Sequence, residues 1–245
     1  MKIDITVPDK LSEITLGQYQ KYLKIQSENT DERFLSSKMI EIFCELNLTD
    51  VMKLKLADVN AICSILSDMF NDKPTLRRTF FMDGVEYGFI PNLEDISFGE
   101  YIDLDNYLAD WNMMDKAMGV LYRPIKNKYG KRYSIQDYEG KETAYMKAMP
   151  LDVALSAVIF FLSFRDRLIN DYDELFGKQG GDSFTAVSQF GAKWGWYSSV
   201  HSLAQGDITR FENITKLNIH TALYALSYMK EKSDLEAKQI KNKFK

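Results

Sequence analysis

The sequence predicts a mainly α protein carrying one or two small β-hairpins, and three observations lead there. Apolar residues recur at three- and four-residue spacing through most of the chain, the period of a helix with one buried face. Proline is scarce, at 5, and glycine ordinary, at 13, so no long flexible linker is offered. Strand-like alternation around a two-residue turn is clear in one place, at Asp83-Gly84. The 245 residues suffice for one large domain or two small ones with a proper core. A composition of 45% hydrophobic and 27% charged residues excludes global disorder.

Taken in order, the first helix signal starts from Phe34 and places Met39, Ile40, Phe43, Cys44 and Leu46 on one face. A second helix carries Val59, Ile62, Cys63, Leu66, Met69 and Phe70, and stops before Asn71-Asp72-Lys73-Pro74. Between them, Asn47-Leu48-Thr49-Asp50 reads as a turn with a capping residue. The period then changes. Thr79–Met82 and Val85–Ile90 flank Asp83-Gly84, whose residues accept the positive φ angles that a tight hairpin demands. Lys128–Ile135 is a second, shorter hairpin candidate. Pro150 opens another helix with Asp152 in its first turn and Arg165 and Arg167 towards its end, as the helix dipole prefers. Gly177–Gly181 mark a break, and helices resume around Phe184, Asp207 and Ile219. The organisation expected is a helical unit over 1–75, a hairpin-plus-helix unit over 76–176, and a C-terminal helical segment over 177–245; a single compact domain is the alternative.

One internal echo stands out. Val7-Pro8-Asp9-Lys10-Leu11-Ser12-Glu13-Ile14-Thr15-Leu16-Gly17-Gln18-Tyr19 is matched by Ile90-Pro91-Asn92-Leu93-Glu94-Asp95-Ile96-Ser97-Phe98-Gly99-Glu100-Tyr101, with one residue dropped after the proline. Both copies end in the capping-box pattern. The Thr15 or Ser97 hydroxyl accepts from a first-turn amide, and Gln18 or Glu100 reaches back to the cap. Either two good caps arose independently, or a strand-turn-helix unit is duplicated. Gly206-Asp207-Ile208-Thr209 shares only the capping chemistry.

Composition excludes several functions. Lysine plus arginine number 31 against 35 acids, a net charge of −4 with a pI near 5.4, so a nucleic-acid binder is disfavoured. The most apolar run, Val153–Phe164, is too short for the roughly 20 residues of a membrane span and reads as a core helix. Met1-Lys2-Ile3-Asp4 does not open a secretory signal, and Cys44 and Cys63 sit in apolar helical patterns, which together predict a cytosolic protein with reduced thiols.

Catalytic chemistry is not expected. The only histidines are His201 and His220; Ser198 shares a helix face with His201 but brings no acidic orienter or oxyanion motif, and His220 reads as a surface or cap residue. Glu94, Asp95, Glu100, Asp103 and Asp105 crowd one stretch and Asp171, Asp173 and Glu174 another, but neither matches a cation-binding loop, and acids are favoured in first helical turns. Cys44 and Cys63 lack zinc-ligand spacing, and Gly177-Lys178-Gln179-Gly180-Gly181 lacks the ending of a phosphate-binding loop. No cofactor or metal is expected.

The candidate contact surface is Phe190-Gly191-Ala192-Lys193-Trp194-Gly195-Trp196-Tyr197, which holds two of the three tryptophans. On a helix Gly191 and Gly195 form a smooth face, with Trp194 and Tyr197 on another and Trp196 between. Trp194, Trp196 and Tyr197 are the expected partner-binding residues, because aromatics bury large area at low entropy cost; core packing is the alternative. The tail from Met229 mixes Lys230, Lys232, Lys238, Lys241, Lys243 and Lys245 with Glu231, Asp234 and Glu236, a solvated helix able to engage an acidic protein partner.

Several segments together resemble the bacteriophage tail assembly chaperones: Ile14–Tyr19, Ser97–Asp105, Leu121-Tyr122-Arg123-Pro124, Lys193–Tyr197 and Leu203–Thr209. That resemblance implies a helical assembly protein of the host cytoplasm that binds tape-measure or tail-tube protein before it polymerises. A structural virion protein, such as a connector or ring subunit, is the alternative, and a homo-oligomer is left open.

Overall fold

The computed structural model describes residues 4–130, 132–140, 143–176 and 186–243, with side chains from 194 onward in the helix that begins at Ala186. The chain is mainly α. Its helices are α1 (Leu16–Glu28), α2 (Glu32–Phe43), α3 (Leu48–Val51), α4 (Leu56–Met69), α5 (Phe98–Tyr107), α6 (Met114–Leu121), α7 (Leu151–Asp171), α8 (Asp173–Phe176), α9 (Ala186–Leu203), α10 (Phe211–Thr215) and α11 (Ile219–Lys243). Strands β1 (Thr79–Met82), β2 (Val85–Phe89), β3 (Tyr122–Tyr129) and β4 (Arg132–Ile135) form one antiparallel sheet in sequence order. Two compact units divide the chain: Met1–Pro91 with Asn106–Phe161, and Asn92–Asp105 with Leu162–Lys245.

In the first unit α1, α2 and α4 pack their apolar faces around Leu16, Ile40 and Leu66, each fully buried. Tyr19, Phe43 and Phe70 lock these helices ring against ring at 5.5–5.6 Å. The Asp83-Gly84 turn adopts the positive φ values expected, 50° and 78°, and pairs Met82 with Val85. The second hairpin is longer than its sequence pattern: β3 starts at Tyr122 and also pairs with β2 through Phe89, so two hairpins merge into one sheet. Tyr122 is buried and its hydroxyl donates to the Arg77 carbonyl at 2.6 Å. The run expected as a core helix is α7. Val153, Ala154, Ala157 and Phe161 point inward, while Ile159 is 51% exposed, so one face rather than the whole helix is buried.

Two local expectations need correction. Asn47 precedes α3 in extended conformation but makes no side-chain cap; its carbonyl instead accepts from Asp50 and Val51. Arg165 and Arg167 lie towards the end of α7 as expected, but its last turn, ending at Asp171, holds no basic residue to meet the helix dipole. The glycine break at 177–181, the helix start at Phe184 and the residues Lys131 and Lys245 lie outside the described residues. Among the described residues no helix is long and apolar enough to cross a membrane.

The echoed segments fold alike. In the first unit a 3-10 turn, Leu11–Glu13, leads into the Thr15 cap. The Gln18 amide donates to the Thr15 hydroxyl at 3.1 Å, and the Thr15 amide donates to the Gln18 side chain at 2.8 Å. In the second unit the turn Leu93–Asp95 leads into Ser97, whose amide donates to the Glu100 carboxylate at 2.9 Å while the Glu100 amide donates to the Ser97 hydroxyl at 3.2 Å. Each cap then bridges to the start of a second helix, Thr15 to Pro150 and Ser97 to Asn218. The repeated unit is thus turn, capping box and helix, bridged to another helix start. Among the described residues a strand precedes the second copy, whereas residues 4–9, ahead of the first cap, take up no regular structure.

Candidate functional site

The second unit holds the aromatic stretch. Phe98, Tyr101 and Asp105 follow at helical spacing on α5 and so share a face. Trp196 of α9 sets its ring edge-on to Phe98 and Tyr101, both at 5.6 Å, and to Phe176 at 6.1 Å. Its indole N–H donates to Asp105 Oδ2 at 2.9 Å, and Asp105 also faces Arg165 at 3.6 Å. Burial pushes the Tyr101 phenol well up, with the Asp105 charge adding to it. Trp196, one of the three expected contact residues, therefore fastens α9 to α5.

Trp194 and Tyr197 behave differently. They are 41% and 50% exposed, and their rings meet at 5.6 Å. Tyr197 continues onto Phe211 at 5.5 Å and stacks on His201 at 6.2 Å. The expected smooth face of Gly191 and Gly195 does not survive: Gly195 takes φ 36° and ψ −122°, which breaks α9. Only glycine enters that region without strain, and the break separates Trp194 from Trp196. His201 thus lies in an aromatic cluster.

Beside Trp196 a cavity of about 370 Å³ is lined by Leu175, Phe176, Ser199, Leu223 and Lys230, with Trp196 as one wall. The carboxylates expected as a crowd disperse to separate partners. Asp95 accepts from the Asn92 amide group, Glu100 from Ser97, and Asp105 from Trp196. Glu174 accepts from Ser227, and its backbone carbonyl accepts from Lys230; the Ser227 hydroxyl holds the Glu174 carboxyl below its ordinary value. Among the described residues no group of three such side chains is placed to hold a metal ion.

One polar chain escaped the sequence reading. His220 Nε2 lies 2.7 Å from Glu94 Oε2, and its Nδ1 lies 3.1 Å from the Tyr172 hydroxyl. Asn218 supports both ends: its side chain donates to the Glu94 carbonyl at 2.7 Å and accepts from the His220 amide at 2.8 Å. Tyrosine, histidine and glutamate in this order have the geometry of a proton relay. Burial, with the charges of Asp171, Glu174 and Glu94 adding to it, raises the Tyr172 phenol above its ordinary value. The three residues clasp the start of α11. Glu94 and His220 stand 126 residues apart, and although the sequence singled out each of them, Glu94 in the echoed and acidic stretch and His220 as one of two histidines, no local signal joined them.

No protein-family model matches the chain, and no solved structure matches it. Curated relatives do: the V-type ATP synthase D subunits of Streptococcus pneumoniae, among them those of serotype 19F, strain JJA and serotype 4. Each is 30% identical over 98 residues, which takes in 39% of this chain and 45% of the relative. The chain thus spans less than half the length of the curated relatives it matches.

That finding corrects the resemblance to bacteriophage tail assembly chaperones. The tape-measure, tail-tube and virion partners and the alternative of a structural virion protein go with it. The physical reason lies in the matching segments. Ile14–Tyr19 and Ser97–Asp105 carry capping boxes, Leu203–Thr209 carries the Asp207 cap, and Leu121–Pro124 is a helix-to-strand junction. Such segments obey rules of local helix geometry that unrelated helical proteins share.

Proposed function

We propose that this chain is a non-catalytic helical protein that works by binding other protein chains in a larger assembly. The observation that carries the reading is the solvent-facing aromatic cluster of the second unit, in which Trp194 and Tyr197 stand half-exposed on a framework held by Trp196. Rigid aromatics on a fixed support are what protein interfaces use as anchors. The partial likeness to one of the subunits of V-type ATP synthase supports the same class, a component that works among others. An intracellular setting belongs to the proposal, supported by the free thiols Cys44 and Cys63.

Affinity purification of the tagged full chain from the cells that make it, with native mass spectrometry of what accompanies it, tests the reading. Stoichiometric co-purification of ATP synthase subunits is expected, weakened by Trp194→Ala with Tyr197→Ala. A chain that purifies alone, or a complex indifferent to both substitutions, would overturn it.

A further inference from the structure

Strand β1 is an edge of the sheet, since the strand order runs β1-β2-β3-β4. Its pairing with β2 decides which way its backbone groups point. The Phe89 amide donates to the Arg78 carbonyl at 2.8 Å, so the bonds to β2 fall at Arg78, Phe80 and Met82, every second residue. Thr79 and Phe81 lie between, and their N–H and C=O groups point away from β2. Among the described residues no hydrogen bond reaches those groups. Native sheets guard such edges with charge, proline or a bulge, because an open strand is a template for another strand. The opposite edge, β4, carries the exposed Arg132. By contrast β1 reads Thr-Phe-Phe-Met, in unbroken register with β2, and holds none of the three guards. Phe80 is buried and stacks on Tyr87 at 5.4 Å, while Phe81 on the other face is 71% exposed.

We propose that β1 pairs antiparallel with β1 of a second copy of this chain, about a two-fold axis at Phe80. Thr79 of each copy then lies opposite Phe81 of the other, and every outward N–H and C=O of these residues gains a partner. An axis at Thr79 would set Phe81 against Arg77, and one at Phe81 would set Thr79 against the turn residue Asp83, both outside the strand. The two Phe81 rings stand diagonally across the axis, within reach of each other, and cover one another's exposed surface. Charge completes the match. The register sets Asp83 of one copy opposite Arg77 and next to Arg78 of the other, and the axis repeats that meeting. Among the described residues neither Asp83 nor Arg78 makes an ion pair. Arg78 donates to the Pro91 carbonyl, and Arg77 meets Asp152 through Nη1. Self-pairing is favoured over a strand from another protein because this one sequence supplies both the apolar and the charged complement. The proposal goes beyond the assembly reading, uses the first unit alone, and stands or falls separately from Trp194 and Tyr197.

Sedimentation velocity of the full chain over a concentration series, with amide exchange read by NMR, tests it. A monomer–dimer equilibrium is expected. Exchange at Thr79 and Phe81 slows as the dimer forms, while Phe80 and Met82, already bonded to β2, exchange slowly throughout. Phe81→Lys places a charge on the edge. Thr79→Pro removes an N–H that bonds nothing within the chain, at the first strand position, where proline is tolerated. Each is expected to raise the dimer Kd at least about tenfold with the circular dichroism spectrum unchanged, because the axis makes every change count twice. A chain that stays monomeric up to about 1 mM would overturn the proposal. So would open-ended oligomers, a dimer indifferent to both substitutions, or exchange at Thr79 and Phe81 that ignores concentration.

Discussion

The two capped junctions are built on one backbone plan and closed with different chemistry. In the first, Leu16 N donates to Met149 O at 2.8 Å and Leu151 N to Ile14 O at 2.9 Å. In the second, Phe98 N donates to Leu217 O at 2.7 Å and Ile219 N to Ile96 O at 3.0 Å. Gly17 and Gly99 allow the same close approach: a Cβ there would stand 3.1 Å from Lys147 Cβ in one and 3.0 Å from Thr215 Cβ in the other. At the bridge position the plans part. Pro150 offers no N–H and no polar side chain, whereas Asn218 ties Glu94 and His220 together. Capping changes too, from the neutral Gln18 to the charged Glu100, which is only 8% exposed. The lesson is that main-chain geometry defines the junction, and side chains decide whether packing or a polar network holds it shut.

The heaviest blow to this equivalence is expected from the first helical residue, buried in both copies. Phe98→Ala should cost about 3–5 kcal/mol and Leu16→Ala about 2–5 kcal/mol by urea unfolding, because each leaves a cavity. A loss below about 1 kcal/mol in either, on the order of a surface substitution, would mean that junction is not part of the core. Next comes the bridge. Asn218→Ala removes two hydrogen bonds for a cost of about 1–2 kcal/mol, and Pro150→Ala, which removes none, should cost less. Equal costs would show that the polar network adds nothing.

The caps should differ less. Thr15→Ala and Ser97→Ala are each expected to cost about 0.5–2 kcal/mol, Ser97 towards the upper end because its partner is a buried carboxylate. The smallest effect is in pH dependence. Glu174 in the second unit has a depressed folded value, so its contribution is present above the ordinary 4.5 and lost as pH falls below it. Cys44 in the first unit is pushed up to about 11 by burial, so its contribution is present below the ordinary 9.0 and lost as pH rises through 11. Hydrogen exchange should therefore find the second unit loosening first in acid. Alkylation of Cys44 at pH 8 should run about a hundredfold slower than that of an unfolded thiol.

Local signals carried the sequence reading as far as nearest neighbours in the chain decide structure. The mainly α class, the Asp83-Gly84 turn, both capping boxes and the Asp207 cap follow from backbone preferences of a few consecutive residues, and each is present. The aromatic stretch was legible as a candidate surface by composition alone. What escaped depends on partners far along the chain. The β2–β3 pairing joins Phe89 to Tyr122, the bridges join Thr15 to Pro150 and Ser97 to Asn218, and the His220–Glu94 pair spans 126 residues. Periodicity says which face of a helix is apolar, but not what will cover it. Only the tertiary structure could divide Trp196, held by Asp105 and the rings of Phe98, Tyr101 and Phe176, from Trp194 and Tyr197, which face solvent, because that division comes from the Gly195 break and the packing around Trp196.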